Sequence, residues 1–136
     1  MGQTIDYLET RPDIDAKKLG FYGLSLGAVE GVRLIALEDR FKAAAFVSGG
    51  LWGHPPAEID PWNYAPRVRT PVLMLNGRDD LIYPVETAQK PMFNALGTQD
   101  KRFAVLGALP EGKISPEADR RRPCTGSDAG KRRFLS

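Results

Sequence analysis

GLSLG, residues 23–27, is the stretch of this 136-residue chain that decides its fold. It follows an apolar and aromatic run at residues 18–22, which predicts a buried strand, and it precedes residues 28–37, whose apolar positions recur at helical spacing. A chain that passes from strand to helix in so few residues must hold Ser25 in a strained backbone conformation. We therefore predict a sharp turn that lifts the Ser25 hydroxyl above the carboxyl-terminal edge of a sheet.

The other residues of this turn also have a chemical reason to be there. Glycine on both sides avoids a collision of side chains across the turn, so we predict that Gly23 and Gly27 are both required. The Leu26 backbone N–H begins a helix, where donors are unpaired and the helix dipole favours negative charge, which suits it to hold an oxyanion. These features are typical of a nucleophile elbow, in which Ser25 attacks an acyl group.

A dinucleotide-binding loop is the competing interpretation of these glycines, because Gly20, Gly23 and Gly27 also follow a strand. Their spacing does not match G-x-G-x-x-G. The next predicted strand ends in Val47-Ser48, without the acidic residue that would hold a ribose. The sequence therefore favours the elbow.

The remaining chain up to residue 110 alternates between strand and helix patterns. Residues 49–66, rich in proline and glycine, predict a long loop over the edge of the sheet. Pro91 lies inside a helical segment and should kink or split it. This order predicts a parallel α/β layout. The predicted helices are residues 5–8, 28–37 and 84–97, and the predicted strands are residues 18–22, 41–47, 71–76 and 102–106.

Three segments resemble the α/β-hydrolases, most closely the branch that includes dienelactone hydrolases and prolyl-oligopeptidase-like enzymes. They are GFYGLSLGA, FKAAAFVSGG and TPVLMLNGRDDLIYPVETAQ, and the resemblance covers residues 4 to about 106. It implies a partial α/β-hydrolase fold, the C-terminal half of the family's domain, with a mainly parallel sheet flanked by helices. It also implies a serine esterase or peptidase-like hydrolase that acts on a small-molecule ester or peptide and uses no metal or organic cofactor.

The resemblance also implies the acid of a catalytic triad. The family places this acid in a pattern like G-x-x-D-x-x-x-P, which falls on residues 77–84, so Asp80 matches it. Asp79 is the neighbouring alternative. A purely local role in a turn or at a helix start is the other interpretation of either aspartate, because aspartate is common there.

The histidine of the triad is missing from its expected position. The family's order is serine, then acid, then histidine, but no histidine follows Asp80. The chain's only histidine, His54, lies between Ser25 and Asp80, where it is either a loop residue or a substitute base. Ser25 without a base keeps a high pKa and is a poor nucleophile, so we expect this chain alone to have little turnover.

Only about 18 residues precede the elbow strand, too few for the early strands and crossover helices of a complete domain. We therefore expect an exposed strand edge and an uncovered apolar face. Our hypothesis is a C-terminal portion of a hydrolase whose reading frame departs near Gly107, which reading the other frames of the coding DNA would test. The alternative is a non-catalytic hydrolase remnant that binds or dimerises through the exposed sheet edge.

Charge and composition divide the chain into residues 1–110, a partial hydrolase domain, and residues 111–136, a basic tail. The tail carries seven basic and four acidic residues without helical or strand periodicity, so we expect it to be disordered. Its arginine clusters raise the hypothesis of nucleic-acid binding, but the whole chain has a net charge of only +2, so we expect none.

The sequence also predicts the protein's location in the cell and whether it binds a metal. No apolar run is long enough to span a membrane, and the first residues lack the features of a signal peptide. The single cysteine, Cys124, cannot form an internal disulfide, and one histidine cannot build a histidine-rich metal site. We therefore expect a cytoplasmic protein without a metal.

Overall fold

The computed structural model describes residues 2–51, 53, 55–108 and 114–117. Short 3₁₀ turns at Ala16–Lys18 and Ala65–Arg67 and a wide π turn at Val85–Gln89 accompany the main elements. The helices and strands are α1 (Gly2–Glu9), β1 (Gly20–Leu24), α2 (Leu26–Leu37), β2 (Ala43–Val47), α3 (Pro61–Tyr64), β3 (Val72–Gly77), α4 (Lys90–Ala95), β4 (Lys101–Ala108) and β5 (Ile114–Glu117).

The strands form one sheet in the order β1-β2-β3-β4-β5. The first four are parallel, which confirms the predicted α/β layout. Because parallel strands in register place paired residues on the same face, Phe21, Ala44 and Val72 lie side by side. The carboxyl ends of β1 to β4 therefore meet at one edge of the sheet.

The last strand, β5, pairs antiparallel with β4 and falls inside the span predicted to have no regular structure. The structure differs from the prediction at these four residues. An edge strand is held by backbone hydrogen bonds to one neighbour, so it needs no apolar periodicity in the sequence, and an edge also tolerates Pro116. The rest of the tail, including Cys124 and the arginine clusters, lies outside the described residues.

The core lies on one face of the sheet, where α2 packs against alternate strand residues. Phe46 and Met74 are fully buried there, with Val32 of α2 above them. A Cβ atom added to Gly31 would lie 2.4 Å from the ring of Phe21, so glycine allows α2 to approach the sheet closely. The buried members of this cluster are Ala28, Val32, Ile35, Ala44, Phe46, Leu51, Ala65, Val68, Val72, Met74, Met92 and Leu96.

The opposite face is apolar but poorly covered by the described residues. Tyr22 and Leu24 of β1 are 66% and 56% exposed, and Leu73 and Leu75 of β3 are only half-buried. Within the described part of the chain, β1 is also the outer strand of the sheet. Among the described residues, β1 therefore presents an unpaired strand edge next to a partly exposed apolar face.

Two sequence predictions about helices have different outcomes. Residues 49–66 are not entirely loop, because they contain α3, which starts at Pro61 and is capped by the Asp60 carboxylate accepting from the Trp62 N–H at 3.0 Å. A helix of one turn is too short to show periodicity. The predicted effect of Pro91 is confirmed, since the helical segment is divided into the π turn and α4.

Ion pairs connect α1 to the carboxyl-terminal end of α2. The Arg40 guanidinium bonds to Asp6 and Glu9 of α1 and to both carboxylate oxygens of Glu38, each of the latter at 2.7 Å. The hydrogen bonds from Arg40 lower the pKa of Glu38 below its ordinary value. This network lies at the foot of α2, at the opposite end from Ser25.

Candidate active site

Ser25 occupies the single residue between β1 and α2. Its backbone has φ 54° and ψ −117°, a conformation that L-amino acids rarely adopt. The Ser25 N–H donates to Val47 O at 2.8 Å, and its carbonyl accepts from the N–H groups of Ala28 and Val29. The turn is thus fixed to β2 on one side and to the first turn of α2 on the other, and the serine itself is exposed.

The two glycines of the turn differ. A Cβ added to Gly23 would lie 2.3 Å from the Gly27 carbonyl oxygen, so a side chain at position 23 would collide across the turn. A Cβ added to Gly27 meets no atom within 4 Å outside its chain neighbours and the adjacent backbone of α2, so no such collision is present there. It is the backbone of Gly27, not a side chain there, that comes close to Gly23.

The Leu26 backbone N–H lies at the start of α2, directly after Ser25. Leu26 is the first residue of the helix, so its N–H has no acceptor within the helix, and the Ser25 hydroxyl does not cap it. The Leu26 side chain is 66% exposed. An unpaired helical N–H next to an exposed serine is chemically suited to hold a negative oxygen.

Asp80 lies in the loop that follows β3, at the same edge of the sheet as Ser25. Its Oδ1 accepts hydrogen bonds from the Ile82 N–H at 3.0 Å and from the Tyr83 N–H at 2.9 Å. The local turn role considered from the sequence is therefore present. Asp79 is exposed, whereas Asp80 is partly buried.

Contacts between side chains bring the Asp80 loop against the helix of Ser25. Tyr83, only 5% exposed, packs with Val29 of the first turn of α2 and with Ala88 of the π turn. β2 lies between β1 and β3, so Ser25 and Asp80 flank its carboxyl end. The structure thus brings both predicted residues to one edge, while His54 lies outside the described residues.

An open cavity of about 370 Å³ lies at this edge. Its wall has both polar and apolar surface, and neither Ser25 nor Asp80 belongs to it. The volume is at the lower end of the range for small-molecule pockets. The lining residues are Leu51, Gly53, Trp62, Ile82, Pro84, Thr87 and Ala88.

Two buried amides behind this edge were missed by the sequence reasoning. The Asn76 Nδ2 donates to Gly49 O at 2.6 Å, and the Gln89 Nε2 donates to Gly77 O and Tyr83 O. Both side chains are buried. A signal was present in each case, because Asn76 continues the alternation of buried strand residues and Gln89 falls among the apolar positions of its helical segment.

No group of three or more histidine, cysteine, aspartate or glutamate side chains is placed to hold a metal ion in the part of the chain that the structure describes. Among the same residues, no helix has the length and apolar character needed to cross a membrane.

A parallel sheet with a strained serine between its first strand and the following helix defines an α/β-hydrolase fold, here in part. Residues 1–105 match the family model of the dienelactone hydrolase family. The chain therefore belongs to the dienelactone hydrolase family, as its sequence motifs suggest.

Solved structures agree with this fold. A cold-adapted esterase from an Arctic intertidal metagenomic library is 26% identical, with a TM-score of 0.65, over 81% of this chain and 49% of its own. A monoacylglycerol lipase of Paleococcus ferrophilus has 17% identity and a TM-score of 0.61 over 78% of this chain and 62% of its own. An acylaminoacyl peptidase of Pyrococcus horikoshii has 20% identity and a TM-score of 0.57, over 74% and 21%. The chain thus spans about half the length of the esterase.

Proposed function

We propose that Ser25 is the nucleophile of a serine hydrolase that cleaves small esters or acylated peptides. The backbone of Ser25 carries this proposal, because φ 54° and ψ −117° at a non-glycine residue is a strain that persists where it serves a function. Leu26 contributes an oxyanion donor, and Asp80 is the acid of the triad. The esterase and the acylaminoacyl peptidase support the choice of substrate class by analogy.

The reaction would proceed by acyl transfer. The Ser25 Oγ attacks the acyl carbon, the carbonyl oxygen becomes negative beside the Leu26 N–H, and the leaving group departs to give an acyl-serine, which water then hydrolyses. A base must take the proton from Ser25 and return it to the leaving group. Asp80 would orient that base and stabilise its positive charge.

The general base is the member of the catalytic triad that is missing from its expected position. The family's histidine follows the acid, but no histidine follows Asp80 in this sequence. The family match ends at residue 105, which supports a change of sequence near Gly107. We therefore propose that the 136-residue chain by itself is a poorly active hydrolase.

Labelling with a fluorophosphonate, with and without added imidazole, tests these assignments. The Ser25 Oγ would bond to phosphorus, fluoride would leave, and imidazole would take the proton. We expect slow labelling that imidazole accelerates and that Ser25→Ala abolishes. Rapid labelling without imidazole would contradict the missing base. Labelling that survives in Ser25→Ala, or the absence of labelling even with imidazole, would contradict the nucleophile.

Self-association through β1 is the second candidate function. The observation that favours it is the outer position of β1 among the described strands, together with the exposed Tyr22 and Leu24. Size-exclusion chromatography would then show a folded dimer, and Leu24→Lys would convert it to a monomer. A monomer at all concentrations, or aggregated material only, would reject this candidate.

A further inference from the structure

The loop that carries Asp80 is closed by one buried side chain from the following helical segment. The Gln89 Nε2 donates to Gly77 O at 2.9 Å and to Tyr83 O at 2.6 Å. Gly77 lies three residues before Asp80, and Tyr83 lies three residues after it. A single amide group therefore joins both ends of the loop.

The orientation of this amide is fixed by its partners. Both partners are carbonyl oxygens, which can only accept, so the nitrogen of the Gln89 side chain must face them. Gln89 is fully buried, so water does not compete for these bonds. Its Oε1 has no partner among the described residues, which is a cost that a purely apolar residue would avoid.

The π turn brings Gln89 to this place. The Gln89 N–H donates to Pro84 O, and the Lys90 N–H donates to Val85 O, each five residues back. A turn with one extra residue rotates the following side chains about the helix axis, and such turns are frequent at functional sites. Pro91 has no N–H to continue the regular pattern, which favours a break in the helix at this point.

We infer that Gln89 is a positioning residue that holds the Asp80 loop in the shape that the triad acid needs. This inference rests on the proposed function of Asp80. Inside the loop, Asp80 accepts from the N–H groups of Ile82 and Tyr83, so its carboxylate keeps its place only while the loop stays closed. Gln89 acts on Asp80 through the backbone and does not touch substrate.

Amide hydrogen exchange of the full chain, followed by NMR, tests the closure. In the wild type, the side-chain amide protons of Gln89 should exchange slowly, and those of the exposed Gln3 and Gln99 should exchange quickly. In Gln89→Met, the N–H groups of Ile82 and Tyr83 should lose about tenfold more protection than those of β3, since two hydrogen bonds are removed.

Asn76→Leu is the matched control, because it also removes a buried amide that bonds to a carbonyl, but at Gly49 rather than at the Asp80 loop. It should lower the protection of the loop and of β3 together. The inference is overturned if the Gln89 side-chain protons exchange as fast as those of Gln3. It is also overturned if Gln89→Met lowers the hydrogen-exchange protection of the loop and of β3 to the same extent. The first of these measurements needs no variant to fold.

Fluorophosphonate labelling separates positioning from mere stability. Gln89→Met should reduce the imidazole-dependent rate at Ser25 about tenfold and leave the imidazole-independent rate unchanged, because Asp80 acts only through the base. Asn76→Leu should change neither rate. An unchanged imidazole-dependent rate in Gln89→Met would overturn the positioning role. If the wild type shows no imidazole-dependent labelling, the proposed function fails, and exchange alone then decides whether Gln89 closes the loop.

Discussion

The Ser25 turn and the Asp80 loop lie at the same edge of the sheet, but they are held in different ways. The Ser25 turn is fixed by backbone geometry, with Gly23 leaving the space and β2 accepting one hydrogen bond. The Asp80 loop is fixed by side chains, one within the loop and one from Gln89. The Ser25 turn depends mainly on residues that are neighbours in the sequence, whereas the Asp80 loop also needs a residue from outside the loop.

The largest effect should come from the space at Gly23. Gly23→Ala places a Cβ 2.3 Å from a carbonyl oxygen of α2, so the strand and helix must move apart. We expect a loss of about 3 kcal/mol in the free energy of unfolding, measured by urea denaturation.

Gly27→Ala is the matched control, because its Cβ meets no atom within 4 Å and alanine favours helix over glycine. It should be neutral or stabilise by up to about 1 kcal/mol. Equal losses in the two variants would show that the turn is not limited by this one contact.

The sequence predicted the Ser25 turn well for a physical reason. The strand, the serine, Gly23 and the helix are consecutive, so each constraint acts between neighbours and leaves a local pattern. Gly27 shows the limit, since a motif names a glycine without saying whether its side-chain direction or its backbone matters.

The Asp80 loop was predicted only in part. The family pattern gave the position of Asp80, and the apolar run gave β3. The helical pattern indicates that Gln89 is buried, but its bonds to both ends of the loop depend on the extra residue of the π turn, which the periodicity does not reveal. The pairing of β5 was missed for a similar reason, since backbone hydrogen bonds at an edge require no particular side chains.

The next largest effect should come from Asp80. Asp80→Ala removes the acceptor of two backbone N–H groups, so we expect a loss of about 1–2 kcal/mol of stability in urea denaturation. Asp79→Ala, at the exposed neighbour, should change stability by less than about 0.5 kcal/mol. A larger loss of stability in Asp79→Ala than in Asp80→Ala would contradict the assignment of the loop closure to Asp80.

Relief of strain at Ser25 should have a smaller effect of opposite sign. Ser25→Gly removes the penalty of φ 54° and ψ −117° but increases the entropy of the unfolded chain, so we expect a net gain of about 1 kcal/mol. Thermal unfolding should show a higher Tm together with the loss of labelling. A lower Tm would mean that Ser25 is not strained, and that backbone geometry is not what distinguishes it from the Asp80 loop.

The smallest effect should be a dependence of stability on pH that acts on α2, the helix that follows Ser25, and not on the Asp80 loop. Arg40 lowers the pKa of Glu38 below its ordinary value of 4.5, so this carboxylate stabilises the fold above that pH and ceases to do so as pH falls through its lowered pKa. Glu38 is the C-cap residue of α2. Acid should therefore lower the hydrogen-exchange protection of α1 and of the carboxyl end of α2, and leave the protection of the Asp80 loop unchanged. Glu38→Gln should cost about 0.5 kcal/mol at neutral pH and nothing at low pH, whereas Asp39→Asn, at an exposed neighbour, should cost nothing at either. Loss of protection in the Asp80 loop at the same pH would show that the loop unfolds together with α1 and α2, because the Glu38 network contacts only α1 and the carboxyl end of α2.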